Sequence, residues 1–578
     1  MTCLFGDWPV LHADLTHPAD TAIARASWEK VLFADRPSRF ELMKLQTQWP
    51  LIDTVIRVHR NHSFEHVAAA AEAWFAWWGR RAQYVYSDYD DSLSFAFSEE
   101  QPVHLEVLWL DVERYASQFS AARFAEWLAG RLIALRSRTE VPILLVTTGA
   151  DNECVALIAK AARALPGVRV ADLGSVNNAL GARFFDDRAA RFSGTRLSDA
   201  ACLLSAREFA CRWTPALLRV RLKAIAVDLD NTLFEGVLGE DGNQVRLTET
   251  HRDLQTCLLA LRDQGVFLAL VSRNEAEDVK QLFDSRRDFP LRWEHFSATA
   301  VNWNSKSENI RQVARSLRIG ADAVLFVDDN PGELAAVASE SPEVSLLHAD
   351  PNPAVTRRAL DYYPGLWAWE RSATDAIRAA DLQAETERAR LATECADPRD
   401  YLRSLQVKLC IDLTPRKELA RLHELSQKTN QFNLNLQRLS EVDLACLLES
   451  PDHRVAAIGL SDRLSDSGLI GLLVAHRQGG TLSVRELAIS CRALGRRLED
   501  LMVSEAVRAI VKELPSSRIE FLHRTGPRNA PARDWLARFS GESLQPEGRV
   551  PAHHALAHFS PSDYPVEILV TQNESSRS

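Results

Sequence analysis

The stretch Ala226-Val-Asp-Leu-Asp-Asn-Thr-Leu233 decides the fold of the central part of this chain. An apolar run leads into two carboxylates, Asp228 and Asp230, which one residue separates. A continuous apolar run is typical of a strand in a parallel sheet that is covered on both faces. Because such sheets form their sites at the carboxyl ends of the strands, we expect both aspartates to lie at that edge.

The sequence on either side extends this pattern. Residues 222–229, 266–271 and 323–327 read as short buried strands, and residues 252–262, 275–283 and 305–317 read as helices between them. Alternation of strands and helices predicts a parallel α/β sheet. Ser272 and Asp328 follow two of the predicted strands directly, and Lys306 begins a predicted helix. These side chains are therefore expected to meet Asp228 at one edge.

The residue types suit phosphoryl transfer. Asp228 can attack phosphorus and form an aspartyl phosphate, and Asp230 can protonate the leaving oxygen and then activate water. Thr232 and Ser272 can donate to phosphoryl oxygens, while Lys306 supplies positive charge. Each aspartate alone could be a strand-end cap or a turn residue, but four pieces in this order favour the site.

Mg²⁺ is the expected cofactor, because it prefers oxygen ligands and neutralises clustered carboxylates and phosphate oxygens. The predicted ligands are Asp228, the backbone carbonyl of Asp230, and Asp328.

The chain resembles the haloacid dehalogenase superfamily of aspartate-nucleophile phosphatases and, more narrowly, the FkbH-like proteins, which load glyceryl groups onto acyl carrier proteins. The resemblance covers about residues 200–545. Besides the opening stretch, its motifs are Gly236-Val-Leu-Gly-Glu-Asp-Gly242, Asn302-Trp-Asn-Ser-Lys306, Phe326-Val-Asp-Asp-Asn-Pro-Gly-Glu333, Lys428-Thr-Asn-Gln-Phe-Asn-Leu434, Ser461-Asp-Arg463 and Ser490-Cys-Arg-Ala-Leu-Gly-Arg496.

The resemblance implies that the chain diverts a small anionic acyl phosphate, similar to 1,3-bisphosphoglycerate, into polyketide-type biosynthesis. Cys491 would carry the acyl group as a thioester, and the partner would be a phosphopantetheinylated acyl carrier protein. Further residues are expected to contact the substrate or support the sites: Arg273, Asn274, Asp329, Asn330, Asn430, Asn433, Asp462 and Arg492.

The sequence departs from the family at two positions. Glu235 stands in a Phe-Glu-Gly run where the family has Trp-Gly-Gly, which puts a carboxylate beside the nucleophile loop. Arg497 stands where the family has the second glycine of Gly-Arg-Gly. Since glycine permits close backbone approach and arginine does not, this change is expected to narrow an anion-binding turn.

Cys491 follows a predicted strand and precedes a helix predicted over residues 494–511. A thiol at a helix N-terminus is stabilised as the thiolate by the helix dipole and nearby cations, here Arg492 and Arg496. From position alone, a buried cysteine acting as a small apolar residue explains it equally well. The resemblance favours the nucleophile.

Composition sets the class of protein. The chain has 578 residues, a net charge of −10 and nine cysteines. Its acidic balance argues against non-specific nucleic-acid binding, and the cysteine spacing suggests neither a disulfide framework nor a zinc site. With no apolar run long enough to span a membrane and no secretory signal, we expect a cytoplasmic protein.

The fold class is α/β throughout. We predict an N-terminal extension (1–35), an SGNH-hydrolase-like α/β domain (36–215), a phosphatase-like domain with a Rossmann-like parallel sheet (216–370), a solvated helical linker (371–404), a GNAT-like acyltransferase domain (405–560) and a tail (561–578). The SGNH-like domain is expected to be non-catalytic, because it lacks a convincing nucleophile.

Two other functions stay open on the sequence. One is a phosphatase fused to an acyltransferase that uses acyl-CoA, which Arg497 disfavours because it occupies the expected pyrophosphate turn. The other is a carrier-protein-docking module with vestigial chemistry, which the intact set of Asp228, Asp230, Ser272, Lys306 and Asp328 disfavours.

Overall fold

The computed structural model describes residues 17–571, apart from 96–100, 117, 150, 189, 220, 370–380, 382–383, 385–386, 389, 396 and 495. Its contacts divide the chain into two compact units. The first unit contains residues 1–163 and 168–370, and the second contains residues 164–167 and 371–578. In the described residues, no helix combines the length and apolar character needed to cross a bilayer.

The first sheet of the first unit has five parallel strands in the order β2-β1-β3-β4-β5. Its strands are β1 Ile52–Arg60, β2 Arg80–Tyr89, β3 Leu105–Asp111, β4 Ile143–Thr148 and β5 Val168–Asp172. The helices of this region are α1 Pro18–Leu32, α2 Arg39–Met43, α3 Glu65–Trp77, α4 Ala121–Arg136, α5 Asn152–Arg163, α6 Gly174–Leu180, α7 Ala190–Ser193, α8 Asp199–Glu208 and α9 Thr214–Leu218. The parallel α/β class is as expected, and the likeness to SGNH hydrolases stays a prediction.

The second sheet of this unit also has five parallel strands, in the order β10-β9-β6-β7-β8. Its strands are β6 Ala224–Val227, β7 Phe267–Ser272, β8 Ala298–Val301, β9 Val324–Asp328 and β10 Ser345–His348. Its helices are α10 Leu238–Asp241, α11 Glu249–Asp263, α12 Ala276–Ser285, α13 Lys306–Ser316, α14 Pro331–Glu340 and α15 Pro353–Asp361. The three strands and three helices predicted around Asp228 are all present, with ends that shift by at most a few residues.

Side-chain caps start the helices that carry site residues. Ser305 accepts a hydrogen bond from the Glu308 amide (3.2 Å) and so begins α13 at Lys306. Asn330 accepts from the Gly332 amide (2.8 Å) and begins α14 directly after β9. Since an N-cap satisfies helix amides that have no partner within the helix, these two residues determine where Lys306 and the Asp328–Asp329 pair stand.

Helix α1 lies in the segment that the sequence left unassigned, and it belongs to the first unit. Buried Glu29 accepts from the His348 amide of β10 (3.1 Å), and Arg358 of α15 donates to the Phe33 carbonyl (3.1 Å) and pairs with Asp35 (2.8 Å). The predicted extension therefore packs on the second sheet. Its first sixteen residues lie outside the described residues.

The aromatic side chains of α3 are core residues. Trp74 and Trp77 are buried, and Trp78 is partly buried against the same core. Trp74 donates its indole N–H to the Leu32 carbonyl at the end of α1 (3.2 Å).

The second unit contains a seven-stranded mixed sheet in the order β16-β15-β14-β13-β12-β11-β17. Its strands are β11 Lys408–Asp412, β12 His453–Ser461, β13 Asp466–Gln478, β14 Thr481–Ile489, β15 Arg518–Arg524, β16 Glu547–Pro551 and β17 Glu567–Thr571. Its helices are α16 Pro398–Leu405, α17 Leu419–Lys428, α18 Glu441–Glu449, α19 Glu499–Glu513, α20 Ala530–Ser540 and α21 His553–His558. The likeness to GNAT acyltransferases stays a prediction.

Two expectations about this unit need correction. Part of the predicted tail from residue 561 is β17, which pairs in parallel with β11, because that edge of β11 has free backbone groups to bond. The predicted linker helix is not simply solvated: Asp381 and Arg388 are buried and bond to residues of the sheet domain. Most of residues 371–396, and the last seven residues, lie outside the described residues.

The parallel neighbours β14 and β15 pair only over their first halves, Thr481 to Val484 against Arg518 to Phe521. Beyond that point a segment at 432–434 lies between them. The Ile489 amide donates to the Phe432 carbonyl (2.8 Å), the Leu434 amide donates to Leu487 (3.1 Å), and the Arg524 amide donates to Leu434 (2.8 Å). This inserted segment satisfies the strand edges that the divergence exposes.

Glu486 is buried beneath this segment, on β14, and accepts from the Gln437 amide (3.0 Å). Burial raises the pKa of Glu486 to about 7, although the Gln437 amide, Asn433 and Arg438 oppose the rise. A carboxyl group whose pKa is raised in the folded state adds stability at low pH. This contribution is complete below the ordinary pKa of about 4.3, and it is lost as the pH rises through the folded-state pKa.

We therefore expect Glu486→Gln to gain stability relative to the wild type as the pH rises from 5 to 8, by up to about 3 kcal/mol. Urea unfolding of the full chain at both pH values measures the difference, with exposed Glu542→Gln as the control. A Glu486→Gln effect that is the same at pH 5 and pH 8 would contradict the buried, neutral carboxyl.

Candidate functional site

Three carboxylates meet at the carboxyl edge of the second sheet. One ligand oxygen from each of Asp228, Asp328 and Asp329 lies within 4.8 Å of the other two. The cause is strand register: β6 and β9 are parallel neighbours in which Val227 lies opposite Val327, so the residues that follow also become neighbours. Asp228 and Asp328 are buried, and Asp329 is half-buried.

Lys306 supplies the positive charge of this cluster. Its Nζ donates to Asp228 Oδ1 (2.5 Å) and to the Val271 carbonyl (2.9 Å), and it lies 3.2 Å from Asp328 Oδ2. Burial alone lowers the pKa of Lys306, but Asp228 and Asp328 outweigh it and raise the pKa above the usual value. The lysine is therefore held as an ammonium group against the nucleophile candidate.

Asp230 is held apart from the lysine by bonds of its own. Its Oδ1 accepts from the Leu238 amide (2.8 Å) and its Oδ2 accepts from Asn274 Nδ2 (2.8 Å). The same amide nitrogen lies 3.0 Å from Ser272 Oγ. Burial, assisted by the charge of Asp228, raises the pKa of Asp230 against the opposing Leu238 and Asn274 bonds. A carboxyl group with a raised pKa is suited to exchange a proton.

The loop after Asp230 turns sharply. Asn231 adopts a left-handed conformation (φ +52°), and its backbone N–H and side-chain Oδ1 bond to the Gly236 backbone, each at 3.1 Å. Gly236 has φ +115°, and a Cβ there would lie 2.7 Å from Asp241 Oδ2. Glycine is required at this position on both counts.

This loop places two predicted residues. The Thr232 side chain is buried, and its Oγ1 makes no hydrogen bond within the described residues, which leaves it able to donate to a phosphoryl oxygen. Glu235 forms an ion pair with Arg246, and their backbones also bond to each other. The departure at Glu235 thus places a carboxylate beside the loop, as expected, and Arg246 pairs with it.

The carboxylates fit a divalent cation. Asp328 Oδ2 is buried and accepts no hydrogen bond within the described residues, in spite of its 3.2 Å separation from Lys306. Burial and the charge of Asp228 raise the pKa of Asp328 to about 7, and burial and Asp228 also raise the pKa of Asp329. One lysine does not neutralise three carboxylates, and a hard cation with oxygen ligands supplies the missing charge.

The structure brings Asp228 and Asp328 of the predicted ligand set together, and it adds Asp329 to them. Asp228 and Asp328 contribute carboxylates as expected, and Asp329, expected only as a supporting residue, has a carboxylate in the same cluster. Both carboxylate oxygens of Asp230 are occupied by Leu238 and Asn274. The sequence predicted that the backbone carbonyl of Asp230, and not its side chain, binds the metal ion. The two side-chain hydrogen bonds are compatible with that prediction.

Other predicted supporting residues surround the cluster. The Asn330 amide donates to Asp328 Oδ1 (2.8 Å), and Arg273 forms an ion pair with Glu333 (2.8 Å). The sequence reasoning did not find His348, whose Nε2 lies 3.1 Å from the Asp329 carbonyl. No local motif marks this histidine, because it joins the site through the pairing of β10 with β9.

Cys491 belongs to the second unit, where it is half-buried in a turn that follows β14. The expectation that it begins a helix is wrong, since α19 starts eight residues later at Glu499. The helix-dipole argument therefore does not apply to its thiol. Within the turn the Ala493 amide donates to the Ser490 carbonyl (3.0 Å) and the Leu494 amide donates to the Cys491 carbonyl (3.2 Å).

Arg496 and Asp462, which the sequence suggested as residues supporting Cys491, belong to a buried network of ion pairs. Asp462 accepts from Arg388 (2.8 Å) and lies 3.3 Å from Arg496, while Asp381 pairs with the same two arginines (3.0 and 3.2 Å). Asp462 also caps the turn at Leu464 (2.9 Å). Two arginines balance two aspartates here, which is the condition under which buried charges are tolerated. Both residues anchor the loop that carries Cys491.

The remaining predicted residues of this unit have structural contacts. Asn430 Oδ1 accepts from Arg438 (2.5 Å), and Asn433 Oδ1 accepts from the Leu436 amide (2.8 Å). Arg492 is buried next to Cys491 in sequence. Arg497 has φ +58°, so the backbone keeps the left-handed conformation of the glycine expected there, at a cost of about 1–2 kcal/mol for a residue with a Cβ.

No protein-family model matches the chain, and no curated protein matches it. Among solved structures it is similar to the N-terminal part of the protein BF1531 from Bacteroides fragilis, described as containing a phosphatase domain complexed with Mg. The identity is 16%, the TM-score is 0.43, and the match covers 58% of this chain and 99% of that chain. Part of the chain is similar to a chimera of spermidine N-acetyltransferase SpeG from Vibrio cholerae and hSSAT (14% identity, 25% of this chain, 92% of that chain, TM-score 0.18).

These values are too low to carry an argument about function.

We expect Mg²⁺ to stabilise the first unit. A ligand that binds only the folded state adds about 2.7 kcal/mol at a concentration 100 times its Kd, so added Mg²⁺ should raise the Tm of the wild type. Asp328→Asn should abolish the rise, whereas Asp284→Asn, an exposed change on α12, should retain it. Differential scanning fluorimetry with and without EDTA measures the shift. Equal Mg²⁺ shifts in the wild type and Asp328→Asn would contradict this ligand set.

Proposed function

We propose that the first unit is a Mg²⁺-dependent phosphatase of the haloacid dehalogenase type that uses Asp228 as its nucleophile. The observation that carries the proposal is the convergence of Asp228, Asp328 and Asp329 within 4.8 Å, with Lys306 Nζ bonded to Asp228. A buried cluster of like charges is costly unless a cation and a substrate use it. Bound Mg²⁺, held by Asp228, Asp328 and Asp329, would neutralise charge on the phosphoryl oxygens.

The first step follows from the placement of the two aspartates. A carboxylate oxygen of Asp228 attacks phosphorus, and the bond from phosphorus to the substrate oxygen breaks, leaving an aspartyl phosphate. Asp230 gives its proton to the departing oxygen, which leaves as an alcohol. Lys306 holds the attacking carboxylate in place, and Ser272 and Thr232 are positioned to donate to the phosphoryl oxygens.

The second step regenerates the enzyme. Asp230, now a carboxylate, takes a proton from water as the water oxygen attacks phosphorus. The bond between phosphorus and Asp228 breaks, and inorganic phosphate leaves. The bonds from Leu238 and Asn274 keep the Asp230 side chain oriented through both steps.

We further propose that the chain is a glyceryl transferase of the FkbH-like kind. In this proposal the Cys491 thiolate attacks the acyl carbon of a 1,3-bisphosphoglycerate-like donor, the carbon–sulfur bond forms, and phosphate leaves as the carbon–oxygen bond breaks. The phosphatase chemistry removes the remaining phosphate ester. The phosphopantetheine thiol of an acyl carrier protein then takes the glyceryl group and releases the Cys491 thiol. What supports it is the set of motifs and the semi-accessible thiol in an anchored turn.

The alternative donor, acyl-CoA, is less well supported. A coenzyme pyrophosphate needs a turn whose amides are free to bind it. Here the Ala493 and Leu494 amides are bonded within the turn, and Arg497 takes the place of the expected glycine.

We expect Asp228→Asn to reduce Mg²⁺-dependent hydrolysis of p-nitrophenyl phosphate by at least about 1,000-fold, as expected for loss of a nucleophile. Asp230→Asn should slow turnover and accumulate the aspartyl phosphate, because the second step lacks its base. Steady-state rates and acid-quenched phosphoenzyme measure these effects, with Asp284→Asn as the control. Full activity in Asp228→Asn would rule out the aspartyl-phosphate mechanism.

A second experiment tests the acyl-transfer proposal. The full chain is incubated with Mg²⁺ and enzymatically generated 1,3-bisphosphoglycerate and examined by intact-protein mass spectrometry. We expect a glyceryl adduct on the wild type, a phosphoglyceryl adduct on Asp228→Asn, and no adduct on Cys491→Ala. Cys446→Ala, which changes an exposed cysteine of the same unit, should behave as the wild type.

The two proposals can fail separately. An adduct that persists in Cys491→Ala would remove the cysteine from the mechanism. No adduct on any form, together with intact phosphatase activity, would leave the phosphatase standing and reject this acyl donor. Acyl transfer from coenzyme A in Cys491→Ala would instead favour the acyl-CoA alternative.

A further inference from the structure

A cavity of about 410 Å³ lies in the first unit between helix α1 and the edge strand β10. Trp77 and Trp78 at the end of α3, together with Tyr363, supply aromatic surface to its wall. Organic ligands typically occupy sites of roughly 300–1,000 Å³. The cavity therefore has room for a small organic molecule, and it is far larger than a single ion needs.

Two guanidinium groups line the cavity, those of Arg25 on α1 and Arg219. Arg219 donates to the Pro364 carbonyl (3.0 Å) and to Ser345 Oγ (2.9 Å), both of which are neutral groups. Arg25 Nε is buried and has no hydrogen-bond acceptor within the described residues. In that part of the chain, neither guanidinium lies within ion-pair distance of a carboxylate. The two arginines therefore bring positive charge that the surrounding wall does not balance.

The pKa of Arg25 reflects this excess of positive charge. Burial lowers the pKa of Arg25, the charge of Arg219 lowers it further, and Tyr363 opposes them. Because a guanidinium remains charged in proteins, the lowered pKa means that the site would gain from an anion.

The acidic groups near the cavity do not supply that anion. Glu29 is buried, and its Oε2 accepts from the His348 amide (3.1 Å). Burial raises the pKa of Glu29 well above its usual range, although the His348 amide and Trp77 oppose the rise. Glu343 lies on the lining but is exposed to solvent.

We infer that this cavity binds a small organic anion, whose carboxylate or phosphate group meets Arg25 and Arg219 and whose carbon skeleton lies against Trp77 and Trp78. Guanidinium groups bind both kinds of anion in a bidentate manner. The flat indole surfaces suit an apolar or aromatic skeleton. The cavity lining includes none of Asp228, Asp328 and Asp329, although His348 lies on the lining and also contacts the Asp329 carbonyl. The inference does not depend on the phosphatase proposal.

Two probes distinguish the carboxylate from the phosphoryl chemistry: phthalate, and phenylphosphonate, which a phosphatase cannot hydrolyse. Each is titrated into the full chain by isothermal titration calorimetry and by tryptophan fluorescence, in EDTA and in the Asp328→Asn background to exclude binding at the carboxylate cluster. We expect saturable binding of at least one probe. Arg25→Met, which keeps much of the side-chain volume, should weaken it at least tenfold.

The control is Lys30→Ala, which removes a cation from the exposed side of the same helix and should leave the affinity within twofold. Arg25→Lys, which keeps the charge but loses the fork, should bind better than Arg25→Met, and thermal unfolding confirms that each variant is folded. Saturable binding that is unchanged in Arg25→Met would overturn the site. Failure of both probes to bind the wild type at concentrations up to 20 mM, chosen as roughly the weakest affinity worth measuring, would overturn it as well.

Discussion

Electrostatic repulsion among three carboxylates at one sheet edge is the main physical constraint on the candidate site of the first unit. The pairing of β6 with β9 forces Asp228, Asp328 and Asp329 together. The ammonium group of Lys306 bonds to Asp228 and lies 3.2 Å from Asp328. Such an arrangement costs free energy in an empty site, because burial disfavours each ionised group. The raised pKa values of Asp328 and Asp329 record that cost. The same repulsion makes the site attractive to a divalent cation and to a phosphoryl group that the cation can bind.

The surrounding structure holds this strained cluster in register. Lys306 is the first residue of capped helix α13, and Asn330 is the N-cap of α14. The left-handed turn at Asn231 reverses the chain direction, so that the Leu238 amide can donate to Asp230. On the far side of the sheet, β10 is tied to β9 by strand pairing and to α1 by the Glu29–His348 bond. Helix α1 thereby helps to support the sheet edge at which the carboxylate cluster lies, and the cavity lies between this helix and the edge strand β10.

The second unit uses its buried charges differently. Arg388 and Arg496 balance the charges of Asp381 and Asp462 within one buried network. Its effect is to fix the turn that presents Cys491, while the segment at 432–434 closes the gap between β14 and β15. Cys491 does not stand at the N-terminus of α19, and buried Arg492 follows it in the sequence.

The sequence by itself predicted the parallel α/β class of the central domain, which the structure confirms, and it named side chains that meet at one edge of that sheet. Continuous apolar strands, each ending in a carboxylate or hydroxyl, are a local pattern, and the sheet geometry follows from it. It could not place Glu29 and His348, which meet across 319 positions of the chain, nor show that Arg246 neutralises Glu235. It also misplaced the start of α19 relative to Cys491, because it predicted a helix from residue 494, whereas α19 begins at Glu499. Only the tertiary structure decided these points, since each depends on which distant side chain is present to satisfy a buried charge or backbone group.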